Sequence, residues 1–235
     1  MSVYFAIPSC RPAAEAEPIL AKWRERGYRI ALLRQGELVD ADVTIPTDRY
    51  LGWAPSVNIL ARFILEHDSG AQWIVSGGDD TLPDPYRSAE EIARECTEHF
   101  SPGWEFDNTF GVMQPTGDKA LWPGSAIDKF AGSPWMGREF CRRMYHGAGP
   151  MFHGYHHNWA DEELQEVAIK LGVFWQRSDL THQHNHWMRT PGVPQPRFWD
   201  AIAQDYQNSH GLFHRRKARG FPGHEPLESS WGASS

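Results

Sequence analysis

The stretch VSGGDDTLPDP, residues 75–85, decides how the rest of the chain is read. It follows the apolar run Trp73-Ile74-Val75 and puts two aspartates, Asp79 and Asp80, between a glycine pair and two prolines. The apolar run predicts a buried strand over 72–76, and the acids then stand at its carboxyl end. In open α/β sheets ligands bind at the carboxyl ends of the strands. Two adjacent carboxylates repel unless a cation or hydrogen bonds compensate. Hard divalent cations such as Mg²⁺ and Mn²⁺ take carboxylate oxygens readily. Glycines at 77 and 78 would let a bulky ligand approach the backbone. The competing reading is a solvated turn, since Gly, Asp and Pro are all turn formers.

Upstream, Val3 to Ile7 predicts a strand closed by Pro8, and 13–26 a helix stopped at Gly27. Strands follow at 28–33 and 43–45. Residues 56–66 form an apolar helical stripe through Ile59, Leu60, Phe63 and Ile64, with Ser56 as the expected N-cap. The order β-α-β-β-α-β argues for an α/β sheet that is at least partly parallel. Downstream, helices are expected over 88–100, within 132–145 from Trp135 or Met136, over 159–171 and around 198–208. Strand-like and loop-like pieces fill 103–123. In the helix at 159–171, Leu164, Val167, Ala168 and Leu171 share one face, Asn158 is the expected N-cap and Gly172 the stop. The apolar run Val173-Phe174-Trp175 precedes the segment THQHNHW. The end is read as a tail, 213–235, basic and then polar and mobile.

With 235 residues and 40% hydrophobic content, the chain suits one large domain. A net charge of −7 argues against a general affinity for nucleic acid. Three scattered cysteines, Cys10, Cys96 and Cys141, form no CxxC pair and no disulfide framework, which fits a reducing cytoplasm. The first ten residues read as a strand and not a signal peptide, and no run reaches membrane-spanning length. Eleven tryptophans and a late cluster of histidines among the twelve are the two compositional biases.

The order of strand, Pro8-Ser9 loop, helix, strand and acid-terminated strand resembles the nucleotide-sugar-binding half of GT-A glycosyltransferases, and the inverting family 2 enzymes most of all. The family's DxD motif is represented by Gly78-Asp79-Asp80, which lacks the first aspartate. The resemblance implies a GT-A-like (Rossmann-like) mixed sheet flanked by helices in a single domain, 1–212. Its nucleotide-sugar half would be 1–100 and its acceptor and catalytic half 101–212. It implies that Asp80 binds the metal and that Asp79 lies near the donor ribose or sugar. Pro8, Ser9 and Arg11 would stand in the loop around the nucleotide, with Asn58 in the donor half and Gly132 and Ser133 under the donor sugar. The expected cofactors are Mn²⁺ or Mg²⁺ and a nucleoside diphosphate sugar, a UDP-sugar first.

The segment Asn158-Trp159-Ala160-Asp161-Glu162-Glu163 stands where the family carries its acidic catalytic motif. Asp161, then Glu162, is the expected general base. The helix dipole would favour acids there in any case, and Asp161 stands where a capping-box partner of Asn158 would. In an extended segment His182, His184 and His186 would share one face. Imidazole suits Mn²⁺ and softer ions, so His184 and then His186 are the candidate metal ligands. His153, His156 and His157 read as an acceptor-side loop. The run His214-Arg215-Arg216-Lys217-Ala218-Arg219 would be a solvated face or a phosphate-neutralising patch. Small transferases of this kind resemble bacteriophage enzymes, some of which glycosylate hydroxymethylated pyrimidines in DNA. Such an acceptor, met through the basic tail, is the expectation this likeness carries. Two other classes compete: a Zn²⁺ or Fe²⁺ enzyme built on the HQHNH histidines, and a non-catalytic carbohydrate- or nucleic-acid-binding module using the tryptophans.

Overall fold

A computed structural model describes residues 1–101, 109–117, 132–187, 191–195 and 199–228. Fourteen elements follow one another along them. They are β1 (Ser2–Ser9), α1 (Ala13–Glu25), β2 (Arg29–Arg34), β3 (Val43–Pro46), α2 (Trp53–His67), β4 (Ala71–Val75), β5 (Thr81–Leu82), α3 (Ala89–Phe100), β6 (Val112–Gly117), β7 (Trp135–Gly137), α4 (Arg138–Gly147), α5 (Ala160–Lys170), β8 (Phe174–His184) and α6 (Trp199–Ala218).

The strands form one mixed sheet in the order β3-β2-β1-β4-β7-β6-β8-β5. The first four pair in parallel, as the β-α-β-β-α-β pattern predicts. β7 then runs antiparallel to both β4 and β6, β8 lies parallel to β6, and β5 closes the edge antiparallel to β8. The expected α/β mixed sheet flanked by helices is the observed architecture. Central strands covered on both faces read as continuous apolar runs, and β1 shows why. Val3, Phe5 and Ile7 join the core under α1 and α3, while Tyr4 and Ala6 join the one under α2, α4 and α5. Trp23 stacks flat on Phe5 at 3.7 Å, and its indole N–H donates to the Thr81 carbonyl at 2.8 Å, so the first helix is tied to the acidic loop.

Several boundaries differ from the sequence expectation. α2 starts three residues early, behind Gly52 at φ +101, so Ser56 lies inside the helix and its hydroxyl bonds the Gly52 carbonyl. Trp135 and Met136 are strand residues, and the helix begins at Arg138. Asn158 does not cap α5. Trp159 takes the cap position in the left-handed region (φ 73), while the Asn158 amide reaches the Ile202 carbonyl at 3.5 Å. The runs VFW and THQH belong to one eleven-residue strand, β8. β6 pairs with it at 174–177 and again at 181–182, and Ser178 and Asp179, which local propensity would place in a turn, fall in the register shift between the two paired stretches. The basic run is the last turn of α6 and not the start of a tail. Gly172 stops α5 as expected, at φ +70. The parts of 103–123 other than 109–117, and the polar end 229–235, lie outside the described residues. Among those described, no helix is long and apolar enough to cross a membrane.

Candidate functional site

The chain leaves β1 toward β2 on one side and reaches β4 on the other, so a crevice opens at the carboxyl ends of β1 and β4. The loops after both strands meet there. Asp79 accepts from the Ser9 hydroxyl at 3.1 Å and from Arg11 Nη2 at 3.0 Å. Buried Arg34, at the end of β2, braces this loop. Its Nη1 donates to Ser9 Oγ at 2.9 Å, its Nη2 to the Arg11 carbonyl at 2.6 Å and its Nε to the Glu37 carbonyl at 2.6 Å. Pro8 sits half-buried at the end of β1 beside Leu33.

Asp80 turns the other way. Its Oδ1 lies 2.8 Å from His184 Nε2, because β5 pairs Thr81 with His184. The Asn185 N–H closes the turn on the Asp80 carbonyl at 2.9 Å. Gly78 leaves room for the pair: a Cβ on it would stand 2.4 Å from Asp80 Oδ1 and 3.3 Å from His184 Nε2, so a larger residue would displace these side chains. Burial raises the Asp80 carboxyl, but the hydrogen bond and charge of His184, with Arg11 and His186 behind, outweigh it and hold Asp80 below the usual carboxylate range. The third acid of the opening stretch, Asp84, is structural. It accepts from the Tyr86 and Arg87 N–H groups and from the Thr181 N–H, tying the loop to β8.

The histidines divide. His182 is buried, edge-on to Trp23 at 5.1 Å, with the Trp135 indole 3.5 Å from its Nε2; burial pushes it down to about 3. It is a neutral core residue. The expected common face exists, but at 182 it is core and only at 184 does it reach the crevice. β8 ends at His184, and the His186 ring lies 5.2 Å from that of His184. A metalloenzyme built on three HQHNH ligands therefore loses its first. Among the described residues, no group of three His, Cys, Asp or Glu side chains is placed to hold a metal. The Asp80–His184 pair supplies one carboxylate oxygen and one imidazole nitrogen. That donor set suits Mn²⁺ or Mg²⁺ bound partly through ligand oxygens and water.

Ser133 lies against the same loop. The Ser76 N–H donates to the Pro134 carbonyl at 3.1 Å, and a Cβ on Gly77 would meet Ser133 Cβ at 3.5 Å. Gly132 beside it is exposed. Asn58 is not brought to the crevice. Its amide donates to the Met151 carbonyl (2.8 Å) and accepts from the Met151 N–H (3.1 Å), so it clamps the loop ahead of α5.

The three acids opening α5 have three different surroundings. Glu163 is buried and accepts from Tyr145, Tyr155 and both arms of Arg216, at 2.7–3.0 Å. Glu162 has a buried oxygen with no partner among the described residues; burial, then the Asp161 charge, pushes it up to about 10. Asp161 is half-buried. His157, one turn earlier, holds its Nδ1 2.6 Å from the Tyr50 hydroxyl. Burial pushes His157 down to about 4, against the pull of Asp161, with His156, Asp205 and His184 also within reach of its charge. Tyr50 in turn feels Asp79. Tyr50 and His157 thus link the two regions electrostatically: His157 feels the charges of Asp161 and His184, and Tyr50 that of Asp79.

Two cations of the basic run are paired, while Arg215 and Arg219 are exposed. Arg216 belongs to Glu163, and Lys217 Nζ lies 2.6 Å from Glu166. Sequence reasoning missed Tyr50, Asp205 and Arg34. A lone arginine ending the apolar run RIALL was the one available signal; Tyr50 and Asp205 stand in segments with no motif.

No protein-family model and no curated protein matches the sequence. Among solved structures, the catalytic domain of Drosophila beta1,4-galactosyltransferase 7, in complex with xylobiose, is similar over 87% of this chain and 81% of its own. The identity is 16% and the TM-score 0.48, a level at which likeness assigns no activity.

Proposed function

We propose that this chain is a metal-dependent glycosyltransferase of GT-A type. It would move a sugar from a nucleoside diphosphate sugar, a UDP-sugar first, to an acceptor hydroxyl with inversion. The observation that carries the reading is the Asp80–His184 pair beyond the carboxyl end of β4, at the sheet's switch point. Asp80 and His184 would hold Mn²⁺ or Mg²⁺, which would neutralise charge on the departing diphosphate. Arg11, anchored on Asp79, brings a fixed cation to the same rim. Asp161 takes the proton from the acceptor hydroxyl as its oxygen bonds the anomeric carbon. The bond from that carbon to the diphosphate oxygen breaks, and its electron pair leaves with the diphosphate.

Glu162, held up by burial and by the Asp161 charge, keeps its proton near neutral pH, which leaves Asp161 as the base. DNA gains no support as the acceptor. Arg216 and Lys217 are paired with Glu163 and Glu166.

The test is thermal stability with UDP, GDP, ADP, CDP and TDP, each with Mn²⁺ or EDTA. Ligand at a hundredfold excess over its dissociation constant adds about 2.7 kcal/mol. One nucleotide should raise the midpoint only with metal, and Asp80→Ala should remove that rise. No rise with any nucleotide would sink the reading.

A further inference from the structure

The junction between the two halves of the crevice is built with care. Gly52, at φ +101, lets the loop before α5 dock on the start of α2: a Cβ there would stand 2.4 Å from the His156 carbonyl oxygen, which accepts from the Trp53 N–H at 2.6 Å. Asn58 fixes the same loop at Met151. These contacts bring the Tyr50 hydroxyl to His157 Nδ1. Burial, and then the charges of Asp79, Cys10 and Asp205, raise the Tyr50 phenol, so the hydroxyl keeps its proton. With the hydroxyl as donor to Nδ1, the imidazole, held neutral, would carry its own proton on Nε2. Among the described residues nothing hydrogen-bonds that nitrogen, and Asp161 and Asp205 lie within reach of the ring's charge.

We propose that His157 contacts substrate, donating from Nε2–H to the acceptor alcohol beside the Asp161 carboxylate, and that Tyr50 is its positioning residue, fixing the tautomer through Nδ1. This inference rests on the glycosyltransferase reading. Neutral imidazole is the suitable donor in this place. An imidazolium would form an ion pair with Asp161 and lower its basicity, whereas a neutral N–H orients the acceptor and leaves the base free.

The experiment compares wild type with His157→Ala, His157→Gln and Tyr50→Phe, on transfer kinetics, on nucleotide binding with Mn²⁺ and on ring ¹⁵N shifts. The wild-type imidazole should show the Nε2–H tautomer, and Tyr50→Phe should mix the tautomers. His157→Ala should lower kcat/KM for the acceptor about 100-fold, the effect of losing one placed donor. Nucleotide binding and donor KM should stay unchanged. His157→Gln, which can place an N–H where Nε2 stood, should recover most of the loss, and Tyr50→Phe should lose about tenfold. Unchanged acceptor kinetics in His157→Ala, or a rise in donor KM instead, overturns the inference and leaves the reading standing. Loss of nucleotide binding together with thermal stability shows a structural role and also overturns it. Absence of any transfer by wild type overturns both.

Discussion

The first turn of α5 carries three consecutive acids whose surroundings differ sharply. Glu163 points to the back of the helix, where two tyrosine hydroxyls and a bidentate arginine satisfy both of its oxygens. Arg216 lies in turn over the Phe152 ring at 3.4 Å and donates to the Pro222 carbonyl. Glu162, beside it in the chain, leaves one buried oxygen with no partner among the described residues. At the back both carboxylate oxygens of Glu163 are paired, as a folding core requires. The front keeps one carboxyl at odds with its environment, as sites for proton transfer do. Adjacency in sequence says nothing about which acid does which; the 100° step of the helix decides it.

The strongest way to break this contrast is to damage the back. Glu163→Ala leaves the Arg216 guanidinium buried without its counter-ion and should cost about 3–5 kcal/mol. Urea denaturation reads it directly. The double variant Glu163→Leu with Arg216→Met should recover most of that loss, because the penalty comes from the orphaned charge and not from lost attraction. A double variant no better than the single would mean that the cluster stabilises through the tyrosines instead.

At the front the expected effect is on rate. Asp161→Asn should lower transfer by about 10²–10⁴-fold, the range for a general base. The fold and the metal-dependent nucleotide binding should persist. Transfer at the wild-type rate would remove Asp161 from the reaction. The metal side offers the matching change. Gly78→Ala would push a methyl group against Asp80 Oδ1 and should lose the Mn²⁺-dependent thermal shift while keeping most of the fold's stability.

How legible each part was follows from its physics. The parallel half was readable because its strands are apolar runs separated by helical periods and glycine stops, all local signals. The second half was not. β8 passes through Ser178 and Asp179 and is one strand because β6 pairs with it on both sides of them, at 174–177 and 181–182. Pro8, Ser9, Arg11, Asp79, Asp80, Ser133 and His184 gather at one crevice, since strand ends place them there. Asn58 and His182 carry the right chemistry but face the Met151 backbone and the tryptophan core, and a side chain's direction at a strand's depth is not written locally. Tyr50 enters the site only through a long-range docking of loops, for which the sequence has no periodic mark.

The smallest effect is the most specific to the contrast, because it should appear as a gain. Glu162 titrates near 4.5 when unfolded and is pushed up to about 10 when folded. The native state therefore binds the extra proton between those values, and stability falls as pH rises through that window. Removing the charge should stabilise: Glu162→Gln is expected to raise stability by on the order of 1–2 kcal/mol at pH 8, and by less at pH 5. His157 works in the opposite sense. Pushed down to about 4 from its ordinary 6.5, it favours the unfolded state as pH falls through that interval, so its slope opposes that of Glu162 there. Thermal midpoints from pH 4 to 9 should then stay nearly level up to about 6.5 and fall above it, with His157→Gln starting the fall at lower pH and Glu162→Gln removing it. If Glu162→Gln instead lowered the midpoint at pH 8, the Glu162 carboxylate would be a structural partner like Glu163, and the division of the helix into a satisfied back and a poised front would fail.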